Sequence, residues 1–305
     1  MNDGSFCAEA SAACGEELAG TAIAGCRFLV CLSFARAWPR KILDGPQLPD
    51  ATVALLASLD RMGHVRVQYL RHSEAVDSEH VELIVADTER GRMRRWKLSD
   101  YRALEGIDWT SLTRYELPEG GDEASEPAIL VCTHGKRDRC CAKWGGAFWR
   151  ELLAQHDHPS VQLWQTSHLG GHRFAPTALV LPWGFQYGRL SAEDAIGLLD
   201  AVAAGDMYRI DLLRGRVAWT APAQVAEIAA RRQSGGRRYG AVTPTEVVSV
   251  TDDSGRAAWD VTVSVGDTSN VWRVVAHKDL EHRRPPSCGK SPEPPTSWSV
   301  CQQRS

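Results

Sequence analysis

The strongest constraint on this fold is an order of elements that occurs twice. "RFLVCLSF" (27–34) is too short and too uniformly apolar for an amphipathic helix and reads as a buried strand. "DATVALLASLDRMG" (50–63) follows as a helix, with Asp50 as its N-cap and Gly63 just past its end. "VRVQYL" then alternates as a strand, and "VELIVAD" and "RMRRWKL" flank "TERG" as a hairpin. After the acidic, Gly/Pro-bearing stretch "ELPEGGDEASEP" (116–127) the order returns. "AILVC" is a strand, and a helix from about Cys141 to Gln155 carries Trp144, Phe148 and Leu152 as an inner stripe. "VQLWQTS" is the next strand, "TALVLP" and "FQYGRL" make a pair, and "SAEDAIGLLDAVAAGD" closes the unit. Ser191 and Asp194 form a capping box there, with Gly205 as the stop. Two successive β-α-β-β units imply a duplicated α/β module, although the halves share no residue-level identity.

The expected organisation is an α/β half over residues 1–115, a linker at 116–127, an α/β domain at 128–206, and a small α+β region at 207–305. That last region holds a helix over 222–233, the strands "EVVSV", "AWDVTVSV" and "VWRVVAH", and a proline-rich tail that wraps the surface in extended form. A net charge of −3 leaves no basic excess to steer nucleic acid or anionic membrane, so neither partner is expected. The most apolar run, "TAIAGCRFLVCLSFA", is broken by Arg27 and too short to span a bilayer. The amino terminus lacks the basic start of a signal peptide, so the expected location is cytoplasmic.

The nine cysteines are an odd number in a chain without an export signal, which favours reduced thiols or metal ligands over disulfides. Only one group has neighbours resembling a site. "CTHGKRDRCCAKWG" (132–145) is followed by "HLGGHRFA" (168–175). Cys132 ends a strand, Cys141 opens a helix, and His168 ends the adjacent strand. Strand ends and helix starts share one edge of an α/β sheet, so three ligands converge there, with His172 arriving on the same loop as His168. The helix dipole and the cations at 136, 137, 139 and 143 favour a thiolate at Cys141. Cys140 competes for that role, but adjacent cysteines do not easily face one metal, and Cys141 is preferred.

The spacing C-x8-C is too wide for a zinc knuckle, and glycines stand where H-E-x-x-H would need its glutamate. Cys132-Thr133-His134 matches half of a Rieske pattern, but no C-x-x-H follows. What remains is a two-thiolate, two-imidazole set roomy enough for a [2Fe–2S] cluster, with structural zinc as an alternative. Thiol–disulfide exchange is a second alternative, disfavoured because C-x-x-C is absent.

C-x8-C followed by H-x-G-G-H resembles the signature of the sucrase/ferredoxin-like family of thioredoxin-fold [2Fe–2S] proteins, and "EELAGTA" and "SCGK" resemble its outer features. The resemblance implies a thioredoxin-like ferredoxin domain at 128–206, preceded by a second thioredoxin-like unit. It also implies a [2Fe–2S] cluster with Cys132 and Cys141 on one iron and His168 and His172 on the other. "Sucrase" implies no glycosidase here, since no carboxylate pair is placed for glycoside cleavage. Two thiolates instead of four leave the oxidised cluster near neutral and raise its potential, and imidazoles with a free N–H can couple reduction to protonation of His168 or His172.

The expected function is electron transfer or redox sensing with an unidentified redox partner such as a flavoprotein reductase, and an electron carrier is favoured over a stand-alone enzyme. The basic loop 136–143 would be the docking rim. His134 and Asp138 are candidates to hold a ligand imidazole, and Arg173 to screen the cluster or hold a partner's carboxylate; solvated loop roles compete for all three. Trp164, Trp183 and Phe185 are expected to exclude water. Cys288 and the remaining cysteines, Cys7, Cys14, Cys26, Cys31 and Cys301, read as plain thiols.

Overall fold

A computed structural model describes residues 6–44, 48–72 and 80–303. Ten strands form one mixed sheet, and four more form a separate antiparallel sheet near the carboxyl end. In the first half, β1 (Phe28–Ser33) pairs parallel with β2 (Val65–Arg71) and antiparallel with β3 (Val81–Asp87), which pairs with β4 (Arg92–Leu98). In the second, β6 (Ala128–Cys132) pairs parallel with β7 (Gln162–Thr166) and antiparallel with β8 (Ala178–Leu181), which pairs with β9 (Phe185–Tyr187). The strand orders are β4-β3-β1-β2 and β9-β8-β6-β7. Each is the thioredoxin-like arrangement, with a helix crossing between its first two strands. β2 and β7 join the halves antiparallel through Leu70↔Thr166 and Arg71↔Gln165.

The sheet does not stop at the acidic segment, where β5 (Asp122–Glu123) pairs with β4. It does not stop at residue 206 either, because β10 (Leu213–Arg216) adds to β9. Of these two strands neither has an apolar signature. β10 reads "LRGR", yet all four residues are buried.

Three helices pack on the two halves of the sheet. The crossing helix of the first half, α2 (Asp50–Asp60), starts one residue earlier than Asp50 capping requires, since Pro49 occupies the cap. The crossing helix of the second half begins with a π turn at Cys141–Gly145 and continues as α3 (Gly146–Ala154). It buries Phe148 and Leu152 against β6 and α4, while Trp144 is half-buried. Each fully buried side chain of that size contributes about 1.5–3 kcal/mol. α4 (Asp194–Ala203) starts as its sequence indicates, with Asp194 accepting hydrogen bonds from the Ser191 N–H and hydroxyl at 2.7 and 2.8 Å.

A short helix α1 (Cys7–Ala13) lies before the sheet, and α5 (Ala221–Ser234) lies between the two sheets. The second sheet consists of β11 (Val242–Thr251), β12 (Ala257–Val265), β13 (Thr268–Lys278) and β14 (Thr296–Gln302). β14 corrects the reading of the tail as surface wrapping throughout. Its last stretch pairs with β13 from Trp272↔Gln302 to Lys278↔Thr296. Among the described residues no helix is long and apolar enough to cross a membrane.

Candidate metal centre

Cys132 is the last residue of β6, and the turn after it must bring Cys141 back beside it. His134 and Asp138 shape that turn. The Arg137 N–H donates to the His134 carbonyl at 3.1 Å, and Asp138 Oδ1 accepts the Cys140 N–H at 2.9 Å. The π turn that follows lies directly on the strand end, because a Cβ at Gly145 would overlap the Cys132 carbonyl. Both thiols are buried.

The second ligand loop leaves β7 at Thr166. Arg66 donates to the His168 carbonyl at 2.9 Å. Gly170 and Gly171 both take left-handed conformations, φ 76° and 65°, that turn the chain so His172 can begin a 3₁₀ turn. Arg214 of β10 holds the loop from beneath. It donates to the carbonyls of Gly170 (3.0 Å) and Thr21 and to the Thr21 hydroxyl (3.2 Å), and its guanidinium lies over the Phe174 ring. Burial pushes its pKa down to about 9.

The ligand atoms of Cys132, Cys141 and His168 lie within 4.8 Å of one another. His168 Nδ1 is 3.7 Å from Cys141 Sγ. His172 stands outside that trio but stacks on His168, ring centroids 5.2 Å apart and planes at 30°. Its Nε2 faces the Pro286 carbonyl at 3.1 Å and Asp138 Oδ2 at 3.5 Å, while its buried Nδ1 has no partner among the described residues. A ring that donates through Nε2 presents a lone pair at Nδ1, the form a metal-bound imidazole takes. The Cys141 hydrogen bond, helped by His168 and opposed by burial, holds the Cys132 thiol well below its ordinary range; the same contact and burial push Cys141 up. Burial lowers the pKa of His172 against the opposing pull of Asp138, so the neutral ring is favoured. Two sulfurs and two imidazole nitrogens on one sheet edge, one nitrogen buried and without a partner among the described residues, fit a Cys2His2-ligated cluster.

Residues 18–215 match the model of the family described as sucrase/ferredoxin-like. The chain belongs to the sucrase/ferredoxin-like family. It is similar to "Altered inheritance of mitochondria protein 32" of Meyerozyma guilliermondii, with 31% identity over 105 residues, covering 31% of this chain and 36% of that protein. The match therefore spans about a third of that relative's length. Among solved structures it is similar to two cysteine-to-serine variants of the thioredoxin-like [2Fe–2S] ferredoxin from Aquifex aeolicus. These are 17% and 15% identical, with a TM-score of 0.25 each, covering 28% of this chain and 96% of theirs.

The outer segments that resemble this family both reach the ligand loop. In "EELAGTA", buried Glu16 accepts from Arg173 Nε at 2.9 Å and from the Ser11 hydroxyl at 2.7 Å, and forms an ion pair with Arg284 at 2.6 Å. Thr21 of the same segment receives Arg214. Arg173 is thus engaged within the chain through its Nε. In "SCGK", Ser287 Oγ and the Cys288 N–H reach Asp138 Oδ2 at 3.3 Å each. Asp138 is therefore a buried hub rather than a solvated loop carboxylate. Burial alone would raise its pKa, but the Cys140 N–H, His172 and Cys288 hold it below the usual range.

His134 turns away from the ligands to the Pro39 carbonyl at 3.0 Å and packs edge-on against Trp38. Trp164 shares an apolar cluster with Cys132 and Cys141. Trp183 and Phe185 do not; they pack with Tyr239 and Arg216 in another part of the core. Cys140 points away from Cys141's partners, toward Cys7 at 3.5 Å and Cys288 at 3.4 Å. Cys26 and Cys31 are buried thiols pushed up by burial, Cys26 to about 12. Sequence reasoning missed Arg214 and Glu16, whose partners lie far away in the chain.

Proposed function

We propose that this chain is a one-electron carrier or redox sensor whose [2Fe–2S] cluster is held by Cys132, Cys141, His168 and His172. The observation that carries the reading is the convergence of Cys132, Cys141 and His168 within 4.8 Å, beside a half-buried His172 whose buried Nδ1 has no partner among the described residues. When bound, such a cluster supplies reversible one-electron transfer. Cys132 and Cys141 contribute two negative charges and the imidazoles none, which favours a higher potential than four thiolates would. Trp164, Leu169 and Leu179 line the apolar side and exclude water there. Asp138 and the Pro286 carbonyl orient the His172 ring through its Nε2–H.

His168, half-buried like His172, borders a cleft of about 480 Å³ also lined by Arg40, Lys41, Arg66 and Arg137 and by Asp44 and Asp60. The cleft's four cations outnumber its two carboxylates and provide a docking rim for an acidic partner such as a flavoprotein reductase. Only Arg137 of that rim belongs to the loop 136–143; the other cations come from residues 40, 41 and 66.

The test is electron-nuclear double resonance on the reduced chain carrying ¹⁵N-labelled histidine. Coupling to histidine nitrogen that changes in both His168→Cys and His172→Cys is expected. A reduced cluster without histidine coupling overturns the ligand assignment.

A further inference from the structure

A second constellation of soft ligands stands beside the first and meets it only through Asp138. Cys7 Sγ, Cys140 Sγ and Cys288 Sγ form a triangle with sides of 3.5, 3.4 and 3.6 Å. The three come from α1, from the residue before the π turn and from the tail. A carboxylate oxygen of Asp138 joins them, all four ligand atoms lying within 4.8 Å of one another. Cys7 and Cys140 are fully buried, Cys288 half-buried.

We propose that Cys7, Cys140, Cys288 and Asp138 form a structural zinc site. Bonds of about 2.3 Å at tetrahedral angles set zinc-bound sulfurs about 3.8 Å apart, close to the observed triangle. A disulfide needs about 2.05 Å, and no pair approaches that. The apolar ring around the group, Phe6, Ala8, Trp144 and Ala175, limits water access, as closed structural zinc sites require. On binding, each thiol releases its proton to solvent as its sulfur–zinc bond forms, and Asp138 enters already ionised.

The consequence for the fold is a clamp. Zinc would tie α1 and the tail, 281 residues apart between Cys7 and Cys288, onto the turn that carries Cys141. Adjacent residues Cys140 and Cys141 would then serve separate centres, which explains why one turn holds both.

The full chain, purified without chelator under exclusion of oxygen, tests this by zinc content and by uptake of Co²⁺ followed through its tetrahedral thiolate absorption. Wild type is expected to hold one zinc per chain. Cys7→Ser and Cys288→Ser are expected to lose it while keeping iron, whereas Cys132→Ser loses iron and keeps zinc. Cys288→His, which restores a ligand, is expected to recover zinc. Asp138→Asn should weaken binding by roughly 10- to 100-fold. Two results overturn the proposal: no zinc and no Co²⁺ absorption in folded wild type, or zinc that follows Cys132→Ser rather than Cys288→Ser. The first centre is read by iron, so failure of one assignment leaves the other standing.

Discussion

Replacing either glycine of the H-x-G-G-H loop by alanine tests how that loop is held. Gly170 and Gly171 have nearly the same left-handed backbone, φ 76° and 65°. A Cβ therefore brings about 1–2 kcal/mol of backbone strain at either position. Their surroundings differ. A Cβ at Gly170 would find only Ile23 Cγ1 at 3.8 Å, an ordinary contact. A Cβ at Gly171 would overlap Arg214 Nη2 and come within 2.8 Å of its Cζ and 3.0 Å of Phe174. Arg214 is 1% exposed, so its fork has nowhere to retreat without surrendering bonds to the Gly170 and Thr21 carbonyls. Hydrogen bonds to charged groups contribute about 1.5–3 kcal/mol each. Gly171→Ala should therefore cost about 2–4 kcal/mol more than Gly170→Ala. The assay is urea unfolding of the four proteins of a cycle: wild type, Gly171→Ala, Arg214→Ala and the double variant. Because truncating Arg214 removes the clash, the double variant should be less destabilised than the sum of the singles. Equal costs for Gly170→Ala and Gly171→Ala, together with simple additivity, would refute the reasoning.

Three further outcomes follow from the same geometry. Cys141→Ser should abolish iron binding, while Cys140→Ser should retain it, as metal analysis of both variants would show; loss of iron from both would return Cys140 to the first centre. Glu16→Gln should cost about 3–5 kcal/mol at neutral pH, because Arg173 and Arg284 lose a buried counter-ion. Burial raises the Glu16 pKa, but Arg284, Arg173 and Ser11 outweigh it and hold the folded carboxyl below its ordinary 4.5. The stabilisation is thus fully present above about pH 4.5 and lost as pH falls through the lower folded value, so the gap between wild type and Glu16→Gln should close in acid. Finally, His168→Cys should retain a cluster at lower potential and with weaker pH dependence than wild type, measured by redox titration at several pH values.

The α/β class was legible because β6 is an uninterrupted apolar run, β7 keeps Leu163 and Trp164 between polar ends, and the crossing helix shows its stripe in Phe148 and Leu152. The convergence of Cys132, Cys141 and His168 was legible for a related reason. All three lie where a strand ends or a helix starts, and sheet topology brings such ends together. β10 was not legible. Its alternate positions are Arg214 and Arg216, which count as surface residues until their carbonyl partners at Thr21, Thr88, Glu89, Gly170 and Trp183 are known. β14 was hidden by the prolines that precede it, since its pairing with β13 is decided by tertiary contact rather than by local pattern. The grouping of Cys7 with Cys288 left no trace in local spacing, because the tail returns to α1 only after the whole sheet has been built.

Iron and acid-labile sulfide, quantified on chain purified and handled without oxygen, test the central claim most directly. The expected result is a coloured protein with two irons and two sulfides per chain, both absent from Cys132→Ser. A folded wild-type chain that is colourless and free of labile sulfide would contradict it.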